Sequence, residues 1–191
     1  MLAFSGGGTR ASAFAYGVLE ELAVTRIMTS KGERRLLDEV DIISSVSGGS
    51  FTSAYFALYG DRVFKDFEQR FLRVKIQSEL EKGLFKHAVK LSSRTYGRSD
   101  MAADLYDEKI FDHKTFGDIT RPGVPFTIIN STDIASGSRI TFTARMFDLF
   151  CANLDSYPIS RAVAASSAVP GAATPITLKN YAGQCGYQPA A

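Results

Sequence analysis

Cysteine is scarce: Cys151 and Cys185 are the only two. Two cysteines make no disulfide framework, and neither a Cys-x-x-Cys nor a Cys/His metal spacing occurs. A single disulfide is open to them in an oxidising compartment, so cysteine usage leaves localisation undecided. No apolar run approaches the roughly 20 residues that span a bilayer. Leu2-Ala3-Phe4 is too short for the apolar core of a secretory signal and runs at once into glycines, so no signal peptide is expected. Neither charge is in excess: 22 basic and 20 acidic residues leave a net +2, too little to indicate nucleic-acid binding. Internal repeats and low-complexity segments are also missing.

What is present reads as one globular domain. The 191 residues suffice for one sizeable core, and 45% hydrophobic with 22% charged residues argues against disorder. Leu2-Ala3-Phe4-Ser5 reads as a buried strand ending in glycines. Ala11 to Ala23 reads as a helix, with Phe14, Val18, Leu22 and Tyr16, Leu19, Ala23 at helical spacing. Lys31 to Glu39 reads as a charged connection, Val40 to Ser45 as a second strand, and Phe51 to Tyr59 as a second, buried helix. Strand, glycine loop, helix, strand, turn, helix is the alternation of a parallel α/β sheet. Further on, Pro125 to Thr132 and Arg139 to Thr143 predict a hairpin about the turn Ala135-Ser136-Gly137-Ser138. Pro158 to Ser166 predicts a helix with proline near its first turn, and Pro175 to Leu178 a last strand. The fold expected is a three-layer α/β/α domain with a mostly parallel central sheet.

Residues 61–95 differ. Phe64, Phe67, Phe71, Val74 and Leu72, Ile76, Leu80 repeat at three and four, which predicts one or two amphipathic helices. From Arg62 to Arg98 there are ten Lys/Arg and four Asp/Glu, a local balance of 10 − 4 = +6. Such a segment is either a solvated face or a basic cap, spanning residues 61–98, that lies on an anionic membrane surface.

Two segments carry chemistry. Ser5-Gly6-Gly7-Gly8-Thr9-Arg10 joins the first strand to the first helix. Consecutive glycines let a backbone approach a ligand, and amides at a helix N-terminus point outward as donors. The loop can hold a phosphate or stabilise an oxyanion. It is not a P-loop, because no Gly-Lys-Ser/Thr ends it. A dinucleotide site is possible from Gly6-x-Gly8 and Ala11, but the next strand ends in Ser44-Ser45 without the acidic residue that binds a ribose. The second segment is Ser45-Val46-Ser47-Gly48-Gly49. A serine on a sharp strand-to-helix turn is exposed at the sheet's carboxyl edge, as in a nucleophile elbow. The usual glycine two places before the nucleophile is here Ser45. The alternative is an N-cap serine in an ordinary loop, and the motif alone does not decide between them.

Together these segments resemble the patatin-like phospholipases. Gly6-Gly7-Gly8-x-Arg10 directly follows the first strand, and the Ser47 turn comes after a comparable interval. Ala165-Ser166-Ser167-Ala168-Val169-Pro170 looks like the Ala-Ser-Ser-Ala-x-Pro block that the family carries before its last catalytic element. The resemblance runs from Leu2 to about Tyr181. It implies a lipid acyl hydrolase with a serine–aspartate dyad, no metal or other cofactor, and phospholipids or related acyl esters as substrates. Ser47 would be the nucleophile. The amides of Gly6, Gly7, Gly8 and Gly48 would form the oxyanion hole. Arg10 would brace the glycine loop or meet a lipid phosphate. The family's aspartate sits in Asp-Gly-Gly or Asp-Gly-Ala after the Ala-Ser-Ser block, and neither tripeptide occurs here. The expectation is of a single domain, residues 1–191, that stops short of its general base. A non-catalytic lipid-binding form of the same fold is the alternative, and nucleotide binding by the glycine loop ranks below both.

The remaining titratable residues read otherwise. His87, among Lys86 and Lys90, and His113, in Asp112-His113-Lys114, are expected at the surface. Asp133 is expected to cap a turn and Asp155 to lead into a helix.

Overall fold

The computed structural model describes residues 1–30, 32–76, 78–79, 96–169 and 173–187. His87, with residue 77 and the rest of 80–95 in the basic 61–98 segment, lies outside the described residues.

A mixed, mostly parallel sheet flanked by helices forms the centre. Strand β1 (Leu2–Phe4) pairs in parallel with β4 (Ile42–Val46), and β4 pairs in parallel with β5 (Phe126–Thr132). Strand β6 (Arg139–Phe142) returns antiparallel to β5, giving the order β1-β4-β5-β6. Register puts Ile43 beside Thr127 and Ser45 beside Ile129, and all four are buried. Their neighbours Ile42, Ser44, Ile128 and Asn130 point to the other face and are half-buried, the period of two that a pleated strand imposes. The hairpin at β5–β6 closes where Asp133 accepts hydrogen bonds from the Ala135 and Ser136 amides and the Ser136 hydroxyl. That is the capping role expected of Asp133.

Helix α1 (Gly8–Val24) follows β1 and α2 (Gly48–Tyr59) follows β4. Every residue of α2 from Gly48 to Leu58 is buried, as expected of a helix enclosed on all sides. It contacts β1, β4 and β5 and is itself covered by α1. Small polar residues hold the α1–α2 seam. The Thr52 hydroxyl donates to the Ser12 carbonyl at 2.9 Å, and the two hydroxyls bond at 2.7 Å. The buried stripe of α1 is therefore Ser12, Ala15 and Leu19, and Phe14 is 76% exposed. The helical period holds, but the inward face is turned toward residues short enough to fit α2.

Helix α3 (Val63–Phe67) runs into a π-helical turn (Glu68–Leu72), in line with the three-and-four spacing of its phenylalanines. Phe67 and Phe71 are buried there, and Phe71 stacks on Phe51 of α2 at 4.2 Å between ring centroids. The other α-helices among the described residues are α4 (Arg98–Tyr106), the short α5 (Ala144–Leu149) and α6 (Ile159–Ser167). Pro158 stands at the N-cap of α6, where its missing N–H is no loss.

Two expectations fail. Lys31 to Glu39 is not a simple connection: β2 (Arg26–Thr29) and β3 (Gly32–Arg35) form an antiparallel hairpin, followed by a 3₁₀ turn (Leu36–Glu39). Four of its eight strand residues are charged and its two larger apolar ones, Ile27 and Met28, are adjacent, so the strands carry no apolar alternation to read. The hairpin turn is closed by the Thr29 hydroxyl on the Gly32 carbonyl at 2.9 Å, with Gly32 at φ 97°. Pro175 to Leu178 is not a strand. It is the middle of an irregular strap, residues 173–187, pinned at intervals. The Thr174 carbonyl accepts from the Ser99 hydroxyl, and the Tyr181 amide donates to the Phe150 carbonyl at 2.8 Å. Cys185 is disulfide-bonded to Cys151, with Cα atoms 5.5 Å apart. Pairing with side chains and helix ends leaves this backbone no ladder to join.

Candidate active site

The turn between β4 and α2 carries Ser47 at φ 53° and ψ −122°. A residue with a Cβ rarely adopts this conformation, and it persists only where the surroundings enforce it. The enforcement is visible. Ser47 caps α2 by position, yet its side chain makes no capping hydrogen bond. Its amide is instead turned toward α6, donating to the Ser166 hydroxyl at 2.8 Å. Ser166 in turn donates its one proton to the Asn130 carbonyl at 2.5 Å. The Ser50 hydroxyl, 3.1 Å away, must then be a donor to Ser166. One side chain of α6 thus ties down the serine turn, the first turn of α2 and the end of β5.

Asn130 completes the support. Its side-chain amide donates to the Ser44 hydroxyl at 3.0 Å and the Ser45 carbonyl at 2.9 Å. Ser45, which stands where a glycine was the usual residue, is buried, and its hydroxyl bonds that of Ser53 on α2 at 2.7 Å. The extra hydroxyl is accommodated because a partner is built in.

The Gly6–Gly8 loop lies directly over this turn. A Cβ at Gly6 would come 3.1 Å from the Ser47 Cβ. A Cβ at Gly48 would run into the Gly8 carbonyl, and one at Gly49 would come 2.8 Å from the Ser5 carbonyl. The Gly49 amide donates to that same Ser5 carbonyl at 3.2 Å. The two glycines after Ser47 are thus required by backbone-to-backbone contact with the first loop. Gly7 and Gly8 take φ values of 138° and 63°, where side chains are strained. Gly7 caps α1 with no side-chain hydrogen bond, so amides at the start of α1 are left without a capping side chain. Residues 5–10 are exposed and Ser47 is half-buried. Arg10 is exposed.

A model of the family described as patatin-like phospholipase matches residues 2–186. The chain belongs to the patatin-like phospholipase family. Its fold agrees: human GIVD cytosolic phospholipase A2, solved in complex with methyl gamma-linolenyl fluorophosphonate and terbium chloride, superposes with a TM-score of 0.50 at 19% identity. The match covers 87% of this chain and 29% of that one. No curated protein matches the chain.

The structure brings Gly6, Gly7, Gly8, Ser47 and Gly48 together, and it adds Ser166 and Asn130. The Ala-Ser-Ser block marked Ser166 in the sequence, but nothing in that spacing reveals its hydrogen bond to Ser47. The other titratable candidates lie apart. His113 is an exposed residue whose Nδ1 is 2.5 Å from Asp107. Asp155 lines a cavity at the opposite end of β5, beside Phe126. Among the described residues no carboxylate or imidazole hydrogen-bonds the Ser47 hydroxyl. Nor does any cluster of His, Cys, Asp and Glu among them fit a metal ion. No helix among them is long and apolar enough to cross a membrane.

Proposed function

We infer that the protein hydrolyses fatty-acyl esters of membrane lipids, with Ser47 as nucleophile. The observation that carries this reading is the strained Ser47 turn under the glycine loop, with its hydroxyl left out of the helix cap. Ser47 Oγ would attack the ester carbonyl and lose its proton to a base. The amides of Gly6, Gly7, Gly8 and Gly48 would hold the tetrahedral oxyanion, where removing one donor typically costs about 10²–10³ in rate. The alcohol would leave and water would then release the acyl group from Ser47. Arg10, an exposed cation beside the glycine loop, suits a lipid phosphate better than an internal brace. A serine hydroxyl needs an adjacent base to be nucleophilic, and the family's Asp-Gly-Gly or Asp-Gly-Ala is not within these 191 residues.

The test is fluorophosphonate labelling of the product of the entire coding sequence, with the adduct mapped by mass spectrometry. Labelling at Ser47, lost in Ser47→Ala, is expected. An unlabelled full-length protein that hydrolyses no ester would overturn the reading. It would favour the second one, a lipid-binding form without turnover, which the lack of a carboxylate or imidazole on Ser47 among the described residues supports.

A further inference from the structure

A cavity of about 400 Å³ lies at the end of the sheet away from the serine turn. Phe126 and Thr127 line it where β5 begins, whereas Ser47 follows the last residue of β4. Helix α2 spans the distance between them. Ser47 caps its start, and the Leu58 carbonyl in its last turn accepts from the Arg121 guanidinium of the cavity wall at 2.8 Å. Helix from Gly48 to Leu58 is about 15 Å long, so the cavity stands apart from the serine. Its volume is within the ~300–1,000 Å³ typical of small-ligand sites.

The floor is apolar: Phe116, Ile119 and Phe142 are buried there. The hydroxyls in the wall are engaged. Those of Thr120 and Thr127 donate to the Phe116 and Pro125 carbonyls, and that of Thr143 bonds that of Thr141. Two opposite charges remain, Arg121 and Asp155, both exposed, and no ion pair joins them. Arg121 has spent one of its five N–H groups on Leu58, and the other four have no partner among the described residues. Asp155 is fixed by its backbone alone. Its amide donates to Asn153 Oδ1 at 2.9 Å, and its carbonyl accepts from the Gly117 amide at 3.0 Å. Its carboxylate bonds no group among the described residues. A Cβ on Gly117 would come 3.4 Å from the Asp155 Cβ, and Arg121 follows Gly117 by four residues. The two charges therefore belong to one side of the cavity, above the aromatic floor.

We propose that this cavity binds a free α-amino acid with a bulky apolar side chain, of the class of leucine and phenylalanine. The ligand's carboxylate meets the Arg121 guanidinium, whose planar fork suits it. Its ammonium meets the Asp155 carboxylate, and its side chain lies on Phe116, Ile119 and Phe142. A ligand with one charge would strip water from the other wall charge and give it no partner. A zwitterion answers both. The site is independent of the Ser47 reading, and its test needs no turnover.

Isothermal titration of the full-length protein with L-phenylalanine, phenethylamine and 3-phenylpropionate decides it. The second lacks only the carboxylate and the third only the ammonium. L-Phenylalanine should bind one to one and at least tenfold tighter than either analogue. Asp155→Asn, whose carboxylate makes no bond of the fold, should weaken L-phenylalanine tenfold or more and leave 3-phenylpropionate no weaker. Ala144→Trp, which fills the cavity from an exposed wall position, should abolish binding of all three. Analogues that bind as tightly as the amino acid overturn the proposal, as does wild-type affinity in Asp155→Asn. So does the lack of saturable binding of both L-phenylalanine and L-leucine below about 10 mM. The comparison of analogues is made on the wild type and stands however the variants fold.

Discussion

At the scale of single residues, Ser166 concentrates the most consequence in one atom. Its Oγ accepts from the Ser47 amide and the Ser50 hydroxyl and donates to the Asn130 carbonyl. Removing it leaves two donors and an acceptor without partners in a half-buried place, at about 1–3 kcal/mol for such unsatisfied groups. Ser166→Ala should lower the unfolding free energy in urea by an amount in that range. The larger effect is expected on Ser47, whose positive-φ backbone loses the bond that turns its amide toward α6. Fluorophosphonate labelling should slow about tenfold or more, with Ser47 still the residue labelled. A merely destabilised protein would label at the wild-type rate under native conditions, and that result would remove Ser166 from any positioning role. This residue also marks the limit of what the sequence discloses. Ser47 and Gly6–Gly8 stand out because their spacing follows local rules for turns and helix starts. Ser166 acts across 119 residues of chain, and no local rule reaches that far.

At the scale of elements, packing of loop on turn makes some glycines irreplaceable and leaves others free. Gly48 and Gly17 both lie inside helices. A Cβ on Gly48 would collide with the Gly8 carbonyl, whereas one on Gly17 would meet nothing within 4 Å. Gly48→Ala should displace the glycine loop or prevent folding, abolishing Ser47 labelling either way. Gly17→Ala should stabilise the protein by about 0.5–1 kcal/mol, because alanine loses less backbone freedom in a helix interior. Urea midpoints of the two variants check the contrast. Among the elements, those with a buried face were legible beforehand: β1, β4, β5 and α2 follow from runs such as Ile42-Ile43 and Phe51 to Tyr59. The β2–β3 hairpin was not, because Arg26, Glu33, Arg34 and Arg35 give no alternation and its register rests on turn chemistry. The strap was misread for the converse reason. Pro175-Ile176-Thr177-Leu178 alternates as a half-buried strand does, yet that alternation fits any extended segment with one wet side. What denies it a ladder is the set of distant anchors at Ser99, Phe150 and Cys151.

At the scale of the whole molecule, charge pairs join parts that are far apart in sequence and give stability a defined response to pH. Arg70, in the turn after α3, pairs with Asp112 at 2.5 Å, and Tyr59 of α2 donates to the same carboxylate at 2.8 Å. The Arg70 guanidinium holds the Asp112 carboxyl below the usual carboxylate range. Arg35 does the same for Asp38, and the Thr115 amide with Lys114 does so for Asp118. A depressed carboxyl contributes stability that is present above its unfolded value, about 3.9, and is lost as pH falls through the lower folded value. All three side chains are about one-third exposed, so screening keeps each contribution small. The alkaline side runs the other way. Burial first, with a hydrogen bond to Asp66, pushes Tyr55 up to about 12, and burial alone does the same for Tyr106. A raised phenol contributes stability that is complete below about 10 and is lost as pH climbs through the folded value. Urea midpoints measured at constant ionic strength should therefore form a plateau from about pH 5 to 9, with a fall on each side. Asp112→Asn should lower the plateau and flatten the acid limb, since it removes one of the groups that must be protonated there. It should also make the alkaline limb shallower without removing it, because Tyr59, raised by burial and then by its bond to the Asp112 carboxylate, loses that partner, while Tyr55 and Tyr106 do not bond Asp112. An acid limb of unchanged slope in Asp112→Asn would mean that the Arg70–Asp112 pair contributes nothing to folding.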